Sequence, residues 1–155
     1  MKIITRELVA QVSDEARQNP RRRTNHNFHP SDQSRCHRLL NAIEPGSYIR
    51  VHRHLDPEKD EAFILLSGRL GIVTFTDDGE VDGAEQLSHA SGNLAVDIPH
   101  GVYHTALSLE SGTVFYETKA GLYLPLTDDE KCEWAPEDTD SQSQIFLLRL
   151  RSLFD

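Results

Sequence analysis

Between residues 38 and 119 this chain of 155 residues is a succession of short β-rich runs, each cut off by a turn signal. Residues 39–43 end at Glu44-Pro45-Gly46 and residues 48–54 end at Leu55-Asp56-Pro57. Residues 62–66 and 69–76 flank Ser67-Gly68, and Asp77-Asp78-Gly79 is a hairpin signal because these residues tolerate the backbone angles of tight turns. Residues 81–87, 94–98, 102–109 and 113–119 complete a set of eight. Short strands at such even spacing bury their apolar sides by packing sheet on sheet. The expected fold class is therefore all-β, a barrel or jelly roll.

The flanks read differently. In residues 5–18, Leu8, Val12 and Ala16 stand four apart, which lines up one apolar face of a helix. Thr5 is placed to cap its start, and Pro20 lies just past its end. Residues 141–154 carry Phe146, Leu150 and Phe154 and predict a short closing helix, with a terminal strand as the alternative. One domain is expected over residues 1–155: helix and arm in 1–37, the barrel in 38–119, and a C-terminal extension in 120–155.

Sixteen Lys and Arg against 25 Asp and Glu leave a net charge of −9, a surface that repels phosphate backbones, so no nucleic-acid partner is expected. The local run Arg21-Arg22-Arg23 either meets one anionic group or is simply solvated. No apolar stretch has membrane-spanning or signal-peptide length, which predicts a cytoplasmic protein without a membrane partner. Cys36 and Cys132 are isolated, lack metal-ligand spacing, and are expected to be reduced thiols.

Eight histidines are present, and four residues stand out by context. His52 and His54 are two apart in a predicted strand, so both rings leave the same side. Glu61 opens the next strand, where its parity partners Phe63 and Leu65 are apolar and aim it inward. Pro99-His100-Gly101 makes a turn that launches a strand with His104 near its start. Three imidazoles and a carboxylate suit one divalent transition metal (Zn, Fe, Mn, Ni or Co) and leave coordination positions open to water or substrate.

Gly46-x5-His52-x-His54-x6-Glu61-x6-Gly68 resembles the first motif of the cupin superfamily, and Gly92-x6-Pro99-x-Gly101-x2-His104 resembles the second. The resemblance implies a cupin jelly-roll barrel with His52, His54, Glu61 and His104 as metal ligands. The gap before Glu61 is longer than usual; Glu58 fits the shorter gap but misses the usual distance to Gly68. Beyond the motifs, the chain is similar to the WbuC family of cupin-fold metalloproteins. The similarity rests on residues 23–29, on Arg38-Leu39-Leu40-Asn41 running into His52-Arg53-His54, and on Gly121-Leu122-Tyr123-Leu124-Pro125-Leu126. Members are named for genes in polysaccharide (O-antigen) clusters, which implies sugar-related chemistry by association. Cupins are commonly homodimers, and a homodimer is expected here.

Arg23, Asn25, Asn27 and His29 recur every second residue and share one side if that arm is extended. They suit a hydroxyl-rich or carboxylate ligand at a barrel mouth, or equally a subunit contact. Tyr48 and Arg50 share parity with His52 and His54. An interior Arg50 would require an anionic ligand or an internal ion pair, for example to Glu117. Lys59, in a turn, is expected to be solvated. Together these features suggest a metal-dependent enzyme acting on a small sugar-like or acidic metabolite. Isomerisation or epimerisation would use the metal as a Lewis acid, with Glu61 or a bound water moving protons. An iron-dependent dioxygenase and a non-catalytic carbohydrate-binding module are the alternatives.

Overall fold

The structure is a computed structural model describing residues 1–155. Eight strands form two antiparallel sheets. They are β1 (Arg23–Asn27), β2 (Cys36–Ile43), β3 (Glu61–Ser67), β4 (Arg69–Phe75), β5 (Val81–Ser88), β6 (Ala95–Ile98), β7 (Tyr103–Ser108) and β8 (Thr113–Ala120). One sheet has the order β1-β2-β8-β3-β6 and the other β5-β4-β7. The arrangement is a jelly roll of the cupin type, not a closed barrel.

Period-two alternation decides which side chains enter the space between the sheets. On β3, Glu61, Phe63 and Leu65 are buried, while Ile64 faces out. Phe63, Leu65, Ile43 and Phe115 of the larger sheet meet Leu70, Ile72, Leu87 and Ala106 of the smaller one in the inner core. The opposite face of the larger sheet presents Leu40, Ala42 and Val114 to the helix α1 (Arg6–Gln18). Val12 and Ala16 of α1 are fully buried there with Leu8 beside them, the stripe the sequence predicts, and Thr5 caps the helix through the Leu8 amide. The outer face of the smaller sheet, through Val73, Phe75, Tyr103 and Leu107, packs on the C-terminal extension. That extension ends in α2 (Ser143–Arg151), which contributes Leu147 and Leu150.

Two strand expectations are corrected. Residues 48–54 form no strand beyond two isolated bridges at His52, one to His104 and one to Lys131. Tyr48 and Val51 instead anchor the segment in the outer core beside Leu147 and Leu150. The eighth strand is β1, the polar arm, which pairs in register with β2 from Arg23 opposite Ile43 to Asn27 opposite Leu39. The polar arm qualifies as a strand because β2 supplies its hydrogen bonds, not because its own side chains alternate. No helix is long and apolar enough to cross a membrane. Cys36 and Cys132 are both free.

Candidate metal centre

Three segments deliver the cluster. The His52 segment lies against the start of β7 through reciprocal bonds, from the His52 amide to the His104 carbonyl at 3.1 Å and from the His104 amide to the His52 carbonyl at 2.9 Å. The Gly101 amide donates to the His54 carbonyl at 2.7 Å, so the motif turn at residues 99–101 also fixes the second histidine. The His52 segment does not pair with β3, the next strand in the chain; β3 is held between β6 and β8 and brings Glu61 in from the opposite sheet.

Ligand atoms of His52, His54 and Glu61 lie within 4.8 Å of one another. His54 Nε2 is 3.1 Å from Glu61 Oε1, and His104 Nε2 is 2.9 Å from Glu61 Oε2. The His52 and His104 rings are 4.8 Å apart between centroids. Glu61 is 2% exposed. Glu58 is exposed on the preceding turn, so of the two glutamates only Glu61 is brought to the cluster.

The imidazole nitrogens show what the cluster is built to hold. His52 Nδ1 lies 3.0 Å from the Arg50 carbonyl and His104 Nδ1 lies 2.9 Å from the Val102 carbonyl, bonds that need the proton on Nδ1. A neutral His104 then turns the Nε2 lone pair onto a carboxylate oxygen, a repulsive contact unless a cation is shared between them. Backbone carbonyls that fix the tautomer behind the ligating nitrogen are the usual support of metal-binding histidines. Separations near those observed also suit neighbouring donors on one ion held at about 2.1 Å. The residues present therefore fit a divalent transition metal.

Burial alone would raise the Glu61 carboxyl, but its close contacts with the His104 and His54 rings and the charge of Lys119 hold it well below the usual carboxylate range. Enclosure, then the proximity of His104, pushes His52 down to about 3 and keeps it in the neutral, ligating form.

Sequence reasoning passed over Lys119. Its Nζ bridges Glu61 Oε1 at 2.6 Å and Glu117 Oε1 at 2.8 Å, and Glu117 also accepts from the Asn41 side chain. Burial would lower the Lys119 ammonium, but the charges of Glu117 and Glu61 raise it above its ordinary value. The signal was available: Phe115, Glu117 and Lys119 share parity on β8, so charged residues follow a core phenylalanine into the interior.

A cavity of about 370 Å³ opens over the cluster, lined among others by His52, Glu61, His104, Asn41, Glu117 and Lys119. Of the predicted ligand-reading row, Arg23 and Asn25 reach its rim. Arg23 Nη2 is tied to Asp138 at 2.7 Å, and Asn27 and His29 line a separate depression. His29 is buried and stacked on His37, with ring centroids 4.1 Å apart. Tyr48 and Arg50 do not face the cavity. Tyr48 donates to the Pro136 carbonyl at 2.9 Å, and Arg50 pairs with Glu137, not Glu117, and donates to the Cys132 carbonyl at 2.8 Å. Their parity with His52 is lost because the segment has no strand pleat to preserve it.

A two-sheet jelly roll with imidazoles and an inward glutamate at its mouth defines a cupin-type protein with a candidate metal site. The chain belongs to the family described as "Domain of unknown function (DUF6016)", whose model matches residues 4–87 and so includes His52, His54 and Glu61 but stops short of His104. Among solved structures it is similar to TT1209 from Thermus thermophilus, at 20% identity over 77% of this chain and 97% of that chain, TM-score 0.54. It is also similar to procruciferin, an 11S globulin from Brassica napus, at 14% identity over 67% of this chain and 26% of that chain, TM-score 0.53. A cupin superfamily protein from Desulfitobacterium hafniense aligns at 15% identity over 63% of this chain and 76% of that chain, TM-score 0.49. The first two carry the likeness, and it concerns the fold alone. No curated protein matches this chain.

Proposed function

We propose that this chain is a metal-dependent cupin enzyme that acts on a small acidic or sugar-like molecule held in the cavity over His52, His54, Glu61 and His104. The observation that carries the reading is the set of imidazole nitrogens facing one buried carboxylate, with the far nitrogens of His52 and His104 committed to backbone carbonyls. A divalent ion held there would supply Lewis-acid polarisation of a substrate oxygen, the chemistry of isomerisation or epimerisation. Around it, this chain's own groups divide the work. Both Glu61 oxygens are engaged by His54, His104 and Lys119, so Glu61 holds the cluster together. Lys119 Nζ, between Glu61 and Glu117 on the cavity wall, stays charged and would offer its remaining proton as a hydrogen bond to a ligand oxygen. Asn25, Asn41 and Arg23 offer polar atoms to a hydroxyl-rich ligand. The resemblance to the WbuC family makes sugar acids and nucleotide-linked sugars the first candidates, which would tie the reaction to surface polysaccharide synthesis.

The test is elemental analysis of protein purified without added metal. About one transition-metal ion per chain is expected, and His52→Ala and His104→Ala should abolish it while far-UV circular dichroism stays unchanged. Metal near zero, with no uptake of Zn(II), Mn(II), Ni(II) or Fe(II) on addition, overturns the reading.

A further inference from the structure

Lys59 is the exception among the charged groups near the cluster. The turn that carries it favours solvation, yet the residue is only 9% exposed. Its ammonium makes one hydrogen bond, to the Leu122 carbonyl at 3.2 Å, and forms no ion pair. Lys119, by contrast, is neutralised by two carboxylates. An ammonium has three protons to give, and burying one without a counter-charge is costly.

Lys59 lines a recess of about 180 Å³, distinct from the larger cavity. Its lining also includes His52, His54 and Lys119, together with Leu122, Leu124 and Leu126. Two cationic side chains and three imidazoles, those of His37, His52 and His54, thus border a small space with no carboxylate among its lining residues. An oxyanion in that space would take the two unused Lys59 protons and supply the charge the fold withholds, in a charge-assisted bond of the stronger kind.

We infer that this recess is an anion subsite in which Lys59 binds a carboxylate or phosphate group of the ligand beside His52 and His54. The assignment deepens the reading of the site as one for small acidic molecules; it does not need the metal to be bound. It also moves the anion-reading role from Arg50, which Glu137 occupies, to Lys59.

Calorimetry on the metal-free full chain at constant ionic strength tests this, with inorganic phosphate and acetate as separate probes and chloride as the control. One of the two should bind at one per chain; which one does so distinguishes a phosphorylated ligand from a carboxylic acid. Lys59→Met should weaken that binding at least tenfold while taking up metal as the wild type does, and Lys59→Arg should restore much of it. Unchanged binding in Lys59→Met, or no binding of either probe by the wild type, overturns the subsite. Loss of metal in His104→Ala with anion binding intact would leave the subsite standing, so the two readings fail separately. Should Lys59→Met not fold, the Lys59 Cε resonance of the wild type decides. It must shift saturably with the bound probe, and a resonance that does not move refutes the assignment.

Discussion

Glu58 and Glu61 lie on the same turn-to-strand connection, and substitution should separate them sharply. Glu61→Gln removes the charge that His54, His104 and Lys119 share, and is expected to lower metal affinity by at least about tenfold. Glu58→Gln, at an exposed position, should leave affinity unchanged. Competition with a chelating indicator measures both. Acid gives a second prediction at this scale. The native fold holds His52 neutral well below its ordinary 6.5, whereas the unfolded chain takes up a proton there, so the stability His52 contributes is complete above 6.5 and declines as pH falls toward about 3. The depressed Glu61 carboxyl acts in the same direction below its ordinary 4.5. The thermal midpoint of the metal-free chain should therefore fall on acidification below pH 6.5, less steeply in His52→Gln, and the metal should dissociate over the same range as protons compete for the imidazoles.

At the scale of elements, a buried carboxylate and a glycine tie the ends of β2 and β3 to the start of β8. Glu44, 2% exposed, accepts from Ser111 Oγ at 2.6 Å and the Gly112 amide at 2.8 Å, and lies near Arg17 of α1. Glu44→Ala strands those donors and should cost about 2–3 kcal/mol in chemical denaturation. Gly68 has a φ of +77°, and a Cβ there would sit 2.6 Å from the Thr113 Cα, so Gly68→Ala should cost about 1–3 kcal/mol or more. That motif glycine was legible in the sequence because a turn between two apolar runs requires it. The inward course of Glu61 was legible too, since Phe63 and Leu65 set its parity. The strand at residues 48–54 was misread because its alternation resembles one, while its partners are His104 and Lys131, far away in the chain. β1 shows the converse: a polar run becomes a strand only because β2 pairs with it. The burial of Lys59 was equally invisible, since the carbonyl that meets it comes from Leu122. Alternation reports what a strand does with its own faces; it says nothing of which distant segment covers a loop.

Across the whole molecule, the jelly roll is supported from both sides, by α1 on the larger sheet and by α2 with the extension on the smaller. Leu150→Ala, removing a side chain that is 2% exposed in the outer core, should cost about 2–5 kcal/mol, and would show whether the extension unfolds together with the sheets. The edge strand β1 bears on the proposed homodimer. If the exposed Asn27 serves a subunit contact, Asn27→Ala should lower the sedimentation coefficient and leave ligand binding intact; if it serves the ligand, the reverse is expected. Traffic is a separate matter. Because His52 and Lys119 border both the larger cavity and the recess, the cluster is a partition between two chambers and not the floor of a single one. Plugging the mouth of either would leave His52 reachable from the other. A bulky ligand lodged in the larger chamber would therefore leave His52 open to a small molecule arriving through the recess behind it.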